Sequence, residues 1–173
     1  MTKTFTRLVS LTAAIMLAFS LAGCANGSSD SDSEKSGQTV SASDESTASA
    51  KDVLSQIDNN LLDASAYFGE DTFSDNCEKL FGVTADKLSD GGIIYASGGG
   101  NADEVCILKM ADGSSAKQIL EERLELRRNT FENYKPEEIT KIDSAEIFEE
   151  GGFWVLVLSD SSSEISQKIK DIL

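Results

Sequence analysis

Histidine is absent from the 173 residues of the chain. Because histidine supplies the base of Ser-His-Asp and Cys-His sites and is the commonest metal ligand, its absence excludes those catalytic arrangements and every histidine metal site. Basic residues are also scarce, with 15 Lys and Arg against 30 Asp and Glu. Nucleic-acid binding needs clustered Lys and Arg, so a nucleic-acid partner is excluded, and anionic lipid headgroups repel the chain.

Long apolar runs are lacking too, since the apolar segment 8–21 is too short to cross about 30 Å of hydrocarbon as a permanent helix. It follows two basic residues, Lys3 and Arg7, and ends in Leu21-Ala22-Gly23-Cys24. This order resembles the signal peptide and lipobox of bacterial lipoproteins. We therefore expect residues 1–23 to be a signal peptide and Cys24 to be acylated, which anchors the chain in the bilayer of the cell membrane on its extracytoplasmic face.

Serine dominates the next segment. Residues 25–50 contain nine serines, no aromatic residue and one basic residue. Such a segment buries too little apolar surface to fold, so we expect the lipidated Cys24 and the rest of 24–50 to form a disordered tether. Residues 51–173 are long enough to bury a single core and are predicted to form one domain.

Helical spacing and caps predict four helices in this domain. Ser49 is the predicted N-cap of the first, whose apolar residues recur at helical spacing: Val53, Leu54, Ile57 and Leu61. The second covers residues 74–81 and is stopped by Gly82. The third and longest is predicted from an N-cap at Asp112 to about Tyr134, where Pro136 ends it, and a capping box over residues 161–164 begins the last.

Two hairpins are predicted between these helices. The first joins strands 93–97 and 104–110, after a turn at residues 90–92, and the second joins strands 143–148 and 153–158. The order strand, strand, helix thus occurs twice. It predicts an α+β fold of (ββα)2-like order, a four-stranded antiparallel sheet with helices packed across one face and N-terminal helices available to cover the other. A face left open around Trp154 would be a partner surface.

An ordered set of residues in this domain resembles a known family. It comprises Ala102-Asp103-Glu104, Arg123, Phe131, Tyr134, Pro136-Glu137, Gly152-Phe153-Trp154-Val155 and Ser159-Asp160. Over about residues 51–160 the chain resembles domain-of-unknown-function family 4358, small lipoproteins typical of Gram-positive anaerobes. The resemblance implies an envelope location and supports the fold, but it transfers no catalytic residue because the family has no established activity.

Two arginines fall near the centre of the apolar stripe of the long helix. Arg123 and Arg127 are predicted to point toward the core, where a guanidinium keeps its charge and needs a partner. One hypothesis is an internal ion pair with Glu104, Glu146 or Asp160. The other is a cleft in which both arginines bind a carboxylate, sulfate or phosphate, with Tyr134 beside them.

Cys77 and Cys106 are the two cysteines left after Cys24 is assigned to lipid. In an exported protein they could form a disulfide, and the alternative is two small buried apolar side chains. Spacing alone does not report the geometry that a disulfide needs, so both alternatives stay open.

The leading functional hypothesis is a non-enzymatic binding or accessory module of the cell envelope, without a cofactor or metal. Its partner would be an envelope protein, the wall or a small anionic ligand. The alternative is a carboxylate-based hydrolase acting on cell-wall glycan or peptide. Its candidate acids are three adjacent pairs, Glu121-Glu122, Glu137-Glu138 and Glu149-Glu150. A secreted inhibitor or accessory subunit of a neighbouring envelope enzyme is a third hypothesis.

Overall fold

The computed structural model describes residues 48–173. The predicted signal peptide, Cys24 and nearly all of the predicted tether lie outside the described residues. Five α-helices are present in the described part: α1 (Ala50–Leu54), α2 (Asp71–Phe81), α3 (Lys117–Tyr134), α4 (Ile139–Asp143) and α5 (Ser162–Ile172). Five strands accompany them: β1 (Ala64–Tyr67), β2 (Leu88–Tyr95), β3 (Glu104–Met110), β4 (Glu146–Glu150) and β5 (Phe153–Leu158). Within residues 48–173 no helix is both long enough and apolar enough to cross a membrane.

The predicted α+β class and antiparallel sheet are confirmed, but the sheet has five strands rather than four. Its order is β1-β2-β3-β5-β4, and every neighbouring pair is antiparallel. The two predicted hairpins lie side by side, with β3 and β5 paired at the centre. The additional strand β1 was missed because its sequence, Ala-Ser-Ala-Tyr, has little apolar alternation, and pairing with β2 decides its conformation.

Helices cover both faces of the sheet, and the predicted placement of the repeat helices on one face is wrong. Side chains of α1 and α5 pack on the face that carries Val105, Val155 and Val157. Helices α2 and α3 pack on the opposite face, which carries Cys106 and Leu156. Because successive residues of a strand point to opposite faces, the uninterrupted apolar run of β5 supplies both layers of core. Trp154 is partly buried beneath the α2 and α3 layer.

The predicted turn at residues 90–92 is wrong, since these residues lie inside β2. Gly91 and Gly92 are buried, and glycine serves close packing there rather than chain reversal. A Cβ on Gly92 would lie 2.8 Å from Leu54 Cδ1 and 3.1 Å from Tyr67 Cδ1. Gly92 therefore lets α1 approach one face of the sheet, and Gly91, where a Cβ would lie 3.3 Å from Phe73 Cζ, lets α2 approach the other.

Of the four predicted helix caps, two are confirmed and two are wrong. Ser49 caps α1 in a capping box with Asp52, and Gly82 ends α2 in the left-handed conformation, both as predicted. Asp112 does not cap α3, which begins five residues later, because the Asp112 carboxylate accepts hydrogen bonds from the turn residue Ser114 instead. Ser161 makes no side-chain cap to α5, so the predicted capping box over residues 161–164 is wrong as well.

The segment after α3 forms a small separate layer that the sequence did not predict. Pro136 ends the helix and begins a 3-10 turn, Pro136–Glu138, that leads directly into α4. Four buried side chains form the apolar cluster between this segment, α3 and the sheet: Ala102, Phe131, Ile142 and Leu158. This cluster holds α4 against the end of the sheet where β3 begins and β5 ends.

Candidate functional site

The charged end of the sheet, defined as the end where β3 begins at Glu104 and β5 ends at Leu158, collects the buried polar side chains. Antiparallel pairing places Glu104 opposite both Tyr95 and Leu158. The loop 96–103 and the turn 159–161 therefore meet at this end. They carry two segments of the family resemblance, Ala102-Asp103-Glu104 and Ser159-Asp160.

Glu104 and Arg123 form a bidentate ion pair inside the protein. Glu104 is fully buried and Arg123 is 9% exposed. The Arg123 Nε donates to Glu104 Oε1 at 2.7 Å, and a terminal guanidinium nitrogen donates to Oε2 at 2.5 Å. The Cys106 thiol donates to the same carboxylate at 3.1 Å. Burial lowers the pKa of Arg123, but the hydrogen bonds to Glu104 and the negative charge of Glu104 together outweigh burial, so the pKa is raised.

Arg127 lies one turn further along α3 and shares the same carboxylate. Its Nε is 3.6 Å from Glu104 Oε2, a terminal nitrogen donates to the Asn101 carbonyl at 3.2 Å, and the guanidinium stacks over the Phe131 ring at 4.8 Å. The buried Nε itself has no hydrogen-bond partner. Burial and the neighbouring Arg123 lower the pKa of Arg127, against the opposing effect of Glu104. Two cations thus share one buried anion.

The hypothesised anion cleft between these arginines does not form in this arrangement. Of the three acids considered as partners, Glu104 is the one that contacts both arginines, and it takes the position that an anionic ligand would need. Tyr134 is 69% exposed at the end of α3, so it does not join the core stripe or line a site with them. The aromatic side chain beside Arg127 is Phe131.

A second buried charge cluster, which sequence reasoning missed, surrounds Lys141 of α4. Lys141 is 7% exposed, Asp103 1% and Glu138 8%. The Lys141 Nζ donates to Asp103 Oδ2 at 2.5 Å, to Asn101 Oδ1 at 2.9 Å and to Glu138 Oε2 at 3.0 Å. Burial lowers the pKa of Lys141, but the hydrogen bonds to Asp103 and Glu138 raise it above the ordinary value.

Glu138 also ties this cluster to the backbone of the loop. Its Oε2 accepts the Ala102 N–H at 3.0 Å, and its Oε1 is 3.4 Å from Lys135 Nζ. These contacts outweigh burial, which alone would raise the pKa, and hold the pKa of Glu138 below its ordinary value. The one sequence signal for the cluster was the position of Lys141 directly before the core residue Ile142.

An open cleft of about 690 Å³ lies beside this cluster at the charged end. We call it the end cleft, and its lining comes from the segment before β1, from Asp103 and from the beginning of α5: Ile57, Asp58, Asn59, Asn60, Leu61, Asp103, Ser159, Asp160, Ser161, Glu164, Ile165 and Lys168. Asn59 reaches across it, with its side-chain amide 3.4 Å from Asp103 Oδ1 and 3.3 Å from Ser159 Oγ. Four carboxylates and one ammonium group line the end cleft.

The remaining predicted site residues lie elsewhere. Of the three acid pairs, none lines the end cleft. Glu121-Glu122 lies on the exposed side of α3, Glu149-Glu150 lies on the edge strand β4, and in the third pair Glu138 is buried against Lys141 while Glu137 is exposed.

Cys77 of α2 and Cys106 of β3 are free thiols in the core between α2, α3 and the sheet, so the possible disulfide is not formed in this structure. Burial raises the pKa of both thiols, that of Cys106 well above its ordinary value.

Within the described range, no group of three or more acidic or cysteine side chains could hold a metal ion. Comparison with known proteins gives neither a curated protein nor a solved structure that matches the chain. The family model described as "Domain of unknown function (DUF4358)" matches residues 63–159, more than half of the chain. This range includes both buried charge clusters and the turn at Ser159. The chain therefore belongs to the DUF4358 family.

Proposed function

We propose that the protein is a membrane-anchored extracytoplasmic lipoprotein whose folded domain is a non-enzymatic binding module, with the end cleft as its ligand site. The observation that carries the proposal is the end cleft itself. It is open to solvent, and one of its lining residues, Asp103, is fixed in position by a hydrogen bond from Lys141. A lining side chain fixed in this way is preorganised, so binding a ligand costs little side-chain ordering.

The charge of the end cleft supports a ligand that carries positive charge. Asp58, Asp160 and Glu164 are exposed around it, whereas Lys168 is the cation of its lining. A small anion would meet repulsion there, and the two core arginines are already bound to Glu104. Apolar walls come from Ile57, Leu61 and Ile165. We therefore propose a cationic peptide segment of an envelope protein or of the wall as the partner.

A peptide titration tests the binding proposal. The probe is a fluorescently labelled Lys-rich peptide carrying one apolar residue, added to the protein at low ionic strength. We expect saturable binding that Asp160→Asn weakens and Lys168→Gln strengthens, because each change alters the charge of the end cleft. Glu132→Gln removes an exposed acid from α3 and serves as the matched control. Equal weakening by Asp160→Asn and Glu132→Gln would show that the peptide responds only to net charge and would refute the proposed site.

The anchoring proposal has a separate test. Cells expressing the full chain are labelled with a radioactive fatty acid, and the membrane fraction is compared with that of Cys24→Ser. We expect the label and the membrane association of the wild type to be lost together in the variant, because acyl chains provide the anchor. A variant that stays in the membrane fraction would contradict lipid anchoring at Cys24.

A further inference from the structure

We propose that Lys141 and Asp103 condense to form an intramolecular amide bond, with Glu138 as the catalytic base. The bond would join α4 to the beginning of β3. This inference goes beyond the proposed binding function and rests on the buried cluster around Lys141 alone.

The reacting groups are already in contact. Lys141 Nζ lies 2.5 Å from Asp103 Oδ2, and Glu138 Oε2 lies 3.0 Å from the same nitrogen. Asn101 also contacts Nζ through its Oδ1, at 2.9 Å. Asp103 is the acceptor we assign, since its carboxylate is the nearest of the three around Nζ, with Asp160 at 3.6 Å, and is only 1% exposed. Holding two reactants in such contact replaces a bimolecular encounter by an intramolecular step.

The surroundings favour the reaction more than those of other lysines do. Lys141 is the one buried lysine among residues 48–173. The residues next to the reacting groups in sequence, Ile142 after Lys141 and Ala102 before Asp103, belong to the apolar cluster of α3, α4 and the sheet. The Nζ itself contacts polar groups, and Asp160 Oδ2 lies 3.6 Å from it in addition to Asp103, Asn101 and Glu138. Burial of Lys141, Asp103 and Glu138 limits the water that would hydrolyse the product.

The ion pair of Lys51 and Glu70 has a similar contact but lacks the burial that the proposed reaction needs. Its nitrogen and oxygen are 2.9 Å apart, but the two side chains are 59% and 40% exposed. The buried Arg123 and Glu104 pair is also excluded, because a guanidinium that keeps its proton is not a nucleophile. Burial, a carboxylate in contact and a second carboxylate as base coincide at Lys141.

The chemistry balances without a further reactant. The Lys141 ammonium transfers one proton to Asp103, which gives a neutral amine and a carboxylic acid. The Nζ lone pair then forms a bond to Asp103 Cγ, and Glu138 takes a second proton from Nζ. That proton passes to the departing hydroxyl, the Cγ–O bond breaks and one water leaves. The raised pKa of Lys141 makes the ammonium its resting form, so we expect slow maturation after folding.

Mass spectrometry of the full chain tests the proposal. The purified protein is incubated until its mass is constant, denatured and digested with trypsin. We expect peptide 88–109, which contains Asp103, to be joined to peptide 129–168, because an acylated Lys141 resists trypsin. The joined product should be lighter than the sum of the two peptides by one water. Its fragment ions should place the bond between Asp103 and Lys141.

Variants assign the roles. Lys141→Arg keeps the charge and should abolish the joined product, and Glu138→Gln should slow its formation at least tenfold, since general base catalysis contributes about 10²–10⁴-fold. Glu137→Gln, at an exposed neighbour, is the matched control and should react at the wild-type rate. The tryptic digest of the wild-type protein tests for the amide bond even if a variant fails to fold.

Three outcomes would overturn these assignments. Complete tryptic cleavage after Lys141 in the wild type would show an ion pair and no amide. A product lighter by one ammonia, with the bond at Asn101, would refute the role of Asp103. Equal rates for Glu138→Gln and Glu137→Gln would refute the role of Glu138.

Discussion

Replacing Glu104 by Gln should lower the free energy of unfolding more than any other single change at the charged end. Glu104 is fully buried and is the shared anion of Arg123 and Arg127. The amide keeps the shape of the side chain and removes its charge, so two guanidinium groups would remain in one buried site. A guanidinium does not give up its proton to relieve this repulsion.

The size of the effect follows from burial. Removing one partner of a buried ion pair costs about 3–5 kcal/mol, against a total stability of about 5–15 kcal/mol for a domain. Arg123→Met should cost less than Glu104→Gln, because Glu104 would still face Arg127 at 3.6 Å. The exposed pair of Lys117 and Glu121, 3.5 Å apart with both side chains more than half exposed, provides the control. Glu121→Gln should cost about 0.3–0.5 kcal/mol.

Urea unfolding followed by fluorescence measures these differences. Trp154 is the single tryptophan and is partly buried on the sheet, so its emission reports the loss of the core. With a slope of about 2 kcal/mol per molar urea, a loss of about 4 kcal/mol moves the midpoint down by about 2 M. A midpoint for Glu104→Gln within the range of Glu121→Gln would refute the view that the buried anion balances two core cations.

Three further predictions concern packing, thiols and pH. Gly92→Ala should destabilise the protein by about 1–3 kcal/mol in the same urea assay through overpacking, whereas Gly98→Ala, with nothing within 4 Å of the added Cβ, should change stability by less than about 0.5 kcal/mol. Cys77 and Cys106 should not react with a thiol reagent in the native protein and should both react in denaturant, because burial raises the pKa of each thiol; a denatured protein with neither thiol reactive would instead indicate a disulfide. Asp63 accepts hydrogen bonds from the backbone N–H of Ser97 and from the Ser97 hydroxyl, and these bonds lower the pKa of Asp63 below its ordinary value of 3.8. The contribution of Asp63 to stability is therefore present above that pH and is lost as the pH falls through the lower pKa of the folded state. Asp63→Asn should flatten that part of an acid-unfolding curve, and an unchanged curve would contradict the hydrogen bonds.

Local signals in the sequence determined much of the secondary structure. The six apolar residues of β5 predicted a central strand with the bounds that the structure has, and Gly82 marked the end of α2 because it adopts the left-handed conformation at little cost. The helical stripe also indicated that Arg123 and Arg127 point inward. Each of these depends on residues close together in the chain.

Tertiary contacts decided the rest. The glycines of β2 predicted a turn, and the structure shows instead that α1 packs against Gly92 and α2 against Gly91. Strand β1 has little signal apart from its pairing with β2. The partner of the two arginines was one of three candidates until strand pairing placed Glu104 under α3. The cluster of Lys141, Asp103 and Glu138 joins residues up to 38 positions apart, which no local pattern encodes. Charge balance in a core depends on which distant groups the fold brings together, and a sequence pattern reports only the face on which each group lies.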